Sequence, residues 1–182
     1  MTDNEITEIS KFLSYVLRHH PEAIGLELDA HGWANIDSLI EKAGQEGKSL
    51  SHEKLHEVVA SGTKKRFTIS EDRDFIRAGY GHSIDVDLSL KPATPPEVLY
   101  HGTARKNLES ILKQGIHSAN RNFVHLSRHK EDAVSVGGRH GQPVVLTVAA
   151  IEMHDSGFRF YPSESEPGIW LVNKVPPEFI TH

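Results

Sequence analysis

The apolar residues near the N-terminus predict a helix that buries one stripe and ends in a basic pair. They recur at i, i+1, i+4 and i+5, which fits one face of an α-helix, and they are Phe12, Leu13, Val16 and Leu17. Arg18 and His19 follow directly, and Pro21 ends the helix because its ring blocks the preceding turn. We therefore predict a helix over about residues 5–19.

The Arg18-His19 pair has two explanations. Arg18 keeps its charge whereas His19 titrates near neutral pH, so together they suit an anionic ligand whose reaction moves a proton. Alternatively, basic residues at a helix C-terminus simply complement the helix macrodipole. We expect both side chains to face a solvated cleft, so that replacing either residue would leave the fold intact.

Further along, the pattern predicts two more helices and then a β-hairpin. These elements lie at about 36–46, 51–61, 66–70 and 74–80. Asn35 or Asp37 is expected to cap the first of them, and Ser51 the second. Three helices followed by a hairpin are typical of a winged-helix-like lobe, which we assign to residues 1–90.

A proline-rich stretch divides the chain. Pro92, Pro95 and Pro96 make residues 91–97 a stiff linker rather than a helix or a central strand. The pattern then changes to short strands, at 98–103, 123–127, 143–149 and 169–173, with helices at about 106–113 and 129–136. We therefore predict that residues 98–182 form a second lobe, of α+β type, with a compact sheet.

The amino-acid composition limits the classes of function that the chain can have. The 182 residues carry a net charge of −5, which argues against charge-driven binding to duplex nucleic acid. The chain has no cysteine and 13 histidines, and the histidines lack the spacing of zinc ligands, so we predict no metal. The sequence shows neither a leader nor an apolar run of membrane-spanning length, and we expect a cytoplasmic protein without membrane contact.

Two predicted strands end in a histidine that is followed within two residues by a hydroxyl. His101, Gly102 and Thr103 close the first strand, and His125 and Ser127 close the second. The glycine would let a ligand approach the backbone closely. Two such histidines can flank a ribose or a small aromatic ligand, although each alone is equally an ordinary core or surface residue.

Two arginines occupy positions from which a phosphate can be reached. Arg139 lies in the glycine-rich stretch 137–143, where few side chains crowd it. Arg66 begins a predicted strand directly after Lys64 and Lys65. Both arginines are also explained as solvated surface charges.

Taken in order, these segments resemble the RNA 2′-phosphotransferase family (Tpt1/KptA). The matching motifs are LSYVLRHHPEAIGLELDAHGWA, KKRF, IRAGYGHS, LYHGT, FVHLS, GRHGQPVVLTV and GIWLV. Each motif is short, but seven in the same order, from residue 10 to about 180, are far more specific than any one.

The resemblance implies an enzyme that removes an internal 2′-phosphate from RNA, of the kind left at a tRNA splice junction, with NAD⁺ as the consumed phosphate acceptor. Family enzymes first form an ADP-ribosylated RNA 2′-phosphate and then release RNA and ADP-ribose 1″,2″-cyclic phosphate. The implied fold is α+β, with a winged-helix-like lobe, an ADP-ribosyltransferase-like lobe and an active site in the cleft between them. The implied partners are RNA and NAD, and we expect a monomer.

The resemblance also implies a role for individual residues. The catalytic set maps onto Arg18, His19, Arg66 and Arg139, where the arginines would neutralise phosphate and the histidine would act as general acid or general base. The NAD-binding positions are His101, Gly102, Thr103, His125, Leu126 and Ser127. The positions near RNA or its phosphate are Lys64, Arg77, Gly81, His82 and Ser83, with Arg77 alternatively a structural cation.

The chain departs from the family motif at Gly79-Tyr80, where the family often has Asn and Gln. Two other functions stay open from the sequence. One is an ADP-ribosyltransferase that modifies phosphorylated nucleic-acid ends and stops after one step. The other is a non-catalytic module that senses NAD and binds nucleic acid.

Overall fold

The computed structural model describes residues 1–61 and 64–182, and the chain divides into two compact units, Met1–Ser89 and Leu90–His182. Both units combine helices with antiparallel sheet, so the fold is α+β. Each unit encloses a hydrophobic cluster of its own.

Unit 1 packs three α-helices with a small sheet. Its elements are α1 (Asp3–Ser14), a π-helix (Tyr15–His19), a 3₁₀-helix (Pro21–Ile24), β1 (Ala34–Asn35), α2 (Ile36–Gln45), α3 (His52–Ala60), β2 (Phe67–Ile69) and β3 (Phe75–Ala78). The strands pair antiparallel in the order β1-β3-β2. The three α-helices and the π-helix all contribute fully buried side chains to the core, among them Leu13, Leu17, Ile36, Leu39 and Leu55.

Side-chain caps fix where the second and third helices begin. Asn35, rather than Asp37, caps α2, and its Oδ1 accepts a hydrogen bond from the Ser38 N–H at 2.9 Å. The Ser51 hydroxyl accepts from the Lys54 N–H at 3.2 Å and caps α3 as predicted. These bonds satisfy N–H groups that have no partner within the helix.

The helix predicted over residues 5–19 changes type partway. α1 ends at Ser14, and the next five residues, Tyr15–His19, form a π-helix. Its last hydrogen bond runs from the His20 N–H to the Tyr15 carbonyl, at 2.8 Å. A single π-turn is too short to alter an apolar period, so the sequence pattern could not reveal it.

Unit 2 is built on a six-stranded antiparallel sheet in the order β11-β7-β4-β6-β9-β8. Its elements are β4 (Leu99–Ala104), a 3₁₀-helix (Arg105–Asn107), α4 (Leu108–Gln114), β5 (Ile116–His117), β6 (Val124–Ser127), α5 (Lys130–Gly138), β7 (Pro143–Val148), α6 (Ala150–Asp155), β8 (Tyr161–Pro162), β9 (Ile169–Val172), β10 (Lys174–Val175), a 3₁₀-helix (Pro177–Phe179) and β11 (Ile180–Thr181). β5 and β10 form a separate two-stranded sheet.

The sheet positions β4 centrally, with β7 on one side and β6 on the other. β4 pairs with β7 over six residues, and it meets β6 at Tyr100 and Ser127. β6 continues the sheet into β9, whose residues are all buried. β4 and β6 run antiparallel, so the two histidine motifs lie on neighbouring strands.

The proline-rich segment 91–97 belongs to unit 2. The Ala93 N–H donates to the Phe160 carbonyl at 2.9 Å, which forms an isolated antiparallel bridge. Phe160 is fully buried in the core of unit 2. Because Pro92 and Pro95 lack N–H groups, the pairing does not extend into a longer strand.

Candidate functional site

Arg18 is buried within unit 1, with only 6% of its surface exposed. The expectation that it faces a solvated cleft is therefore wrong, whereas His19 is half-buried. The two residues end the π-helix, an uncommon geometry that is often found at functional sites.

The Tyr80–Ser83 turn packs against Arg18. The Arg18 Cζ atom lies 4.9 Å from the centroid of the buried Tyr80 ring, so the ring's π face stabilises the guanidinium charge. Gly81 has a φ of +88°, and a Cβ there would lie 3.0 Å from the Arg18 Cζ and Nε atoms. Glycine is thus required at this position for both its backbone conformation and its contact with Arg18.

The same turn fixes His19. The Arg18 carbonyl accepts from the Ser83 N–H at 3.0 Å and from the Ile84 N–H at 3.4 Å. The Ser83 hydroxyl lies 2.8 Å from the His19 Nδ1 atom, within hydrogen-bond distance. Gly81 and Ser83, expected near RNA phosphate, therefore hold the Arg18-His19 pair in place.

His82 is a packed, neutral residue in this structure. It is 3% exposed, and burial, reinforced by the charges of Arg18, His19 and Arg77, lowers its pKa from 6.5 to about 4. At neutral pH it carries no charge with which to hold a phosphate. Binding of RNA or its phosphate by His82 stays a prediction.

Arg77 acts as a structural cation. It is buried, its Nη1 donates to the His31 carbonyl at 3.3 Å, and its Cζ lies 4.4 Å from the centroid of the Trp33 ring. Of the two roles that the sequence left open for Arg77, these contacts favour the structural one.

Arg66 and Lys64 are both half-buried and directly precede β2. The Arg66 carbonyl accepts from the Gly79 N–H at 3.0 Å. This bond ties the backbone of Arg66 to the residue before the Tyr80–Ser83 turn. Unit 1 thus connects Arg66 to the Arg18-His19 pair through one short segment.

In unit 2 the two histidine motifs meet across the sheet. The His101 Nδ1 atom lies 3.2 Å from the His125 carbonyl oxygen. Because a carbonyl only accepts, Nδ1 carries the proton and Nε2 carries the lone pair. Burial lowers the pKa of His101, although the hydrogen bond to His125 opposes the shift. His101 is therefore a neutral imidazole with an acceptor nitrogen at Nε2 at neutral pH.

Gly102 makes room for the protein and not for a ligand. A Cβ at this position would overlap the Ala133 carbonyl of α5 and lie 2.9 Å from the Gly137 nitrogen. The expectation that Gly102 admits a ligand to the backbone is therefore wrong. Next to it, the buried Thr103 hydroxyl accepts a 3.3 Å hydrogen bond from the Asn107 side chain.

The remaining predicted positions in unit 2 differ in exposure. The Leu126 side chain is fully buried in the core, so packing is its role, whereas Ser127 is half-buried at the end of β6. Gly137 and Gly138 belong to α5 and not to a loop, and the exposed Arg139 is the C-terminal cap residue of that helix.

Sequence reasoning missed Tyr80 and Asn107 as parts of these sites. The signal for Tyr80 was the departure from the family motif at Gly79-Tyr80. There this chain replaces the polar Asn and Gln by a glycine and a tyrosine, and the tyrosine ring packs on Arg18. Asn107 lies four residues after Thr103, in the first turn after β4, and carried no signal of its own.

Within residues 1–61 and 64–182, we find no group of three or more His, Cys, Asp or Glu side chains arranged to hold a metal ion. Over the same residues, every helix is too short or too polar to cross a membrane.

An α+β chain with a fixed Arg-His pair in one unit and paired histidine motifs in the other has the features of a phosphate-handling enzyme. Comparison with known proteins identifies the protein family. Residues 4–174 match the model of the family described as RNA 2′-phosphotransferase, Tpt1 / KptA family, and the chain belongs to that family.

Curated relatives cover the whole chain. A probable RNA 2′-phosphotransferase of Acaryochloris marina is 51% identical over 177 residues, 97% of both chains. One from Flavobacterium johnsoniae is 51% identical over 180 residues, 99% of this chain and 98% of the relative. A third, from Nostoc punctiforme, is 43% identical over 180 residues, 99% of this chain and 98% of the relative.

Proposed function

We propose that this chain is an NAD-dependent RNA 2′-phosphotransferase that removes an internal 2′-phosphate from RNA. The observation that carries the proposal is the Arg18-His19 pair, which the Tyr80–Ser83 turn fixes at the end of a π-helix in a chain of this family. A permanent cation beside a titratable group is what phosphoryl transfer needs from a protein.

We further propose that residues 1–90 are a winged-helix-like lobe, that residues 91–97 are a proline-rich linker, and that residues 98–182 are an ADP-ribosyltransferase-like lobe. Three helices with the sheet β1-β3-β2 support the first assignment. The antiparallel sheet in which β4 and β6 are neighbouring strands supports the second.

In unit 1, Arg18 and Arg66 are the proposed phosphate-neutralising residues. Their charge does not depend on pH, so they stabilise the dianionic phosphate and the charge that develops in the transition state. Lys64, next to Arg66, adds a further positive charge on the RNA side. Arg139 is the proposed catalytic arginine of unit 2.

His19 is the proposed proton carrier. The Ser83 hydroxyl lies within hydrogen-bond distance of its Nδ1 atom, and we assign proton exchange with the reacting oxygen to Nε2. In the release of the RNA 2′-hydroxyl the imidazolium donates this proton as a general acid.

Unit 2 fits the ribose of NAD. The neutral His101 offers an Nε2 acceptor for a ribose hydroxyl, and Thr103 and Ser127 offer hydroxyl groups. The His125 backbone orients His101. When bound, NAD⁺ would supply the ribose that accepts the phosphate, with nicotinamide as the leaving group.

The proposal is tested by incubating the full chain with NAD⁺ and a short RNA that carries one internal 2′-phosphate. We expect RNA without the phosphate, nicotinamide and ADP-ribose 1″,2″-cyclic phosphate. RNA that stays joined to ADP-ribose would contradict the phosphotransferase assignment in favour of one-step ADP-ribosylation. Bound but unconsumed NAD⁺ would instead indicate a non-catalytic module.

The variant His19→Ala tests the proton-carrier role of His19. It is expected to lower kcat by roughly 100-fold or more, the usual contribution of a positioned acid or base. His52→Ala, at an exposed histidine of α3, is the control and is expected to retain wild-type turnover. Near-normal turnover by His19→Ala would remove the proton-carrier role.

A further inference from the structure

The π-helix gives two adjacent histidines different neighbours. In an α-helix the residue at i+4 lies over residue i, so His19 would lie over Tyr15. The i+5 hydrogen bond from His20 to Tyr15 widens this turn by one residue. As a result His19 reaches Ser83, and the His20 ring packs beside the Tyr15 ring with 4.9 Å between centroids.

The Tyr15-His20 pair is exposed. Tyr15 is 49% exposed and the His20 side chain 51%, whereas Val16 and Leu17, in the same turn, are fully buried. The His20 ring lies 6.4 Å from the His19 ring, centroid to centroid. The protein thus leaves two ring systems accessible directly beside its proposed proton carrier.

We propose that the Tyr15-His20 pair binds an unpaired nucleobase of the RNA substrate, next to the nucleotide whose 2′-phosphate Arg18 and His19 handle. The proposal rests on the proposed function. Tyrosine and histidine rings stack well on bases, and single-stranded RNA is recognised mainly in this way. A chain with a net charge of −5 gains RNA affinity from such stacking where diffuse charge attraction is weak.

The local charge favours a base over a phosphate at this position. The Glu22 carboxylate lies 3.0 Å from the His20 Nδ1 atom, and this hydrogen bond lowers the pKa of Glu22, which keeps the carboxylate ionised. A backbone phosphate placed here would meet that negative charge. A base is neutral and meets no such repulsion, and the bond also holds the His20 ring in place.

The test compares short RNAs that carry a central 2′-phosphate and in which a neighbouring nucleotide is either intact or abasic, on each side in turn. For the wild-type enzyme, we expect removal of the stacking base to raise KM about tenfold, the effect of one lost stack. In Tyr15→Ala, KM for the intact RNA is expected to rise by a similar factor, with no further rise for the abasic RNA. Tyr15→Phe keeps the ring and is expected to keep the abasic penalty.

Phe75→Ala is the control, because Phe75 is another exposed aromatic of unit 1, on β3. It is expected to keep the full abasic penalty. If Tyr15→Ala also keeps that penalty while the wild type is active, the base site is overturned and the proposed function stands. If the wild type releases no phosphate from any of the RNAs, both the base site and the proposed function are overturned. Should Tyr15→Ala fail to fold, Tyr15→Leu keeps the apolar bulk and serves in the same comparison.

Discussion

At the scale of single residues, a serine hydroxyl sets the geometry of the proposed proton carrier. Ser83 is exposed, so its side chain contributes little to the core, yet its oxygen lies 2.8 Å from the His19 Nδ1 atom. A hydrogen bond of this kind fixes both the ring orientation and the proton position of an imidazole.

Ser83→Ala should therefore impair turnover without unfolding the protein. Loss of one hydrogen bond, worth about 0.5–1.5 kcal/mol, corresponds to a fall in kcat of about three- to tenfold. KM for RNA and the unfolding temperature are expected to stay near wild type. Steady-state kinetics with Ser83→Thr, which retains the hydroxyl, should show partial recovery. An unchanged kcat in Ser83→Ala would contradict the positioning role.

His82 links the stability of the protein to pH. Its pKa of about 4 in the folded chain lies below the usual 6.5, so the folded state resists protonation. Between these two pH values the unfolded chain binds a proton that the folded chain does not, and stability falls as the pH falls. The difference corresponds to about 3 kcal/mol of stability, which is lost as the pH falls from 6.5 to 4. Above pH 6.5 His82 is neutral in both states and no stability is lost.

His82→Gln should weaken this dependence, because glutamine does not titrate. The measurement is the free energy of unfolding in urea at pH 7, 5.5 and 4.5. His56→Gln, at a half-buried histidine of α3, is the control and should keep the wild-type slope. Parallel pH dependences for His82→Gln and wild type would show that His82 is not the group responsible.

The candidate site residues could be proposed from the sequence because they belong to short motifs, and their functional roles stay predictions. What the motifs could not show is which partner each residue meets. The contact between His19 and Ser83 joins residues 64 positions apart, and that between His101 and His125 joins residues 24 apart. The burial of Arg18 also depends on Tyr80, which is distant in sequence.

At the scale of elements, local signals located α1 to α5 and the longer strands, but not α6 (Ala150–Asp155). Asn35 and Ser51 mark where α2 and α3 begin, and Gly115, with a φ of +83°, follows the end of α4. The two-residue strands β1, β5, β8, β10 and β11 went unpredicted, because two residues cannot show a period-2 pattern. They exist only through pairing with partners that other parts of the chain supply.

The contact of β4 with α5 makes Gly102 sensitive to any side chain. A Cβ there would overlap the Ala133 carbonyl, and the backbones would have to separate. Gly102→Ala is expected to cost about 1–3 kcal/mol of stability or more, as overpacking does. It should also reduce activity, because His101 and Thr103 flank the displaced position.

Gly138→Ala is the matched control for this change. Gly138 lies in the same helix, α5, and a Cβ there would meet no atom within 4 Å. Alanine has the higher helix propensity, so this variant should be unchanged or more stable by up to about 1 kcal/mol. Thermal unfolding of the two variants checks the pair, and equal destabilisation would refute the steric explanation.

At the scale of the whole molecule, two hydrophobic clusters replace one large core. One lies in unit 1 and includes Leu13, Leu39 and Ile76, and the other lies in unit 2 and includes Leu126 and Leu146. The sequence indicated this division through the prolines. It placed the start of the second lobe at residue 98, whereas unit 2 begins at Leu90. The difference arises from the Ala93–Phe160 bridge, a long-range pairing that composition does not reveal.

Because each unit has its own core, fragments 1–89 and 90–182 should each unfold cooperatively in urea when produced separately. Fragment 98–182 lacks the segment that pairs with Phe160 and should be less stable than 90–182 by about 1–2 kcal/mol. Ala93→Pro in fragment 90–182 keeps the segment but removes the N–H donor, and it should reproduce part of that loss. Equal stability of fragments 98–182 and 90–182 would mean that the bridge adds nothing to the stability of unit 2. A urea unfolding curve without a cooperative transition, for either unit, would mean that the core of that unit does not suffice for folding.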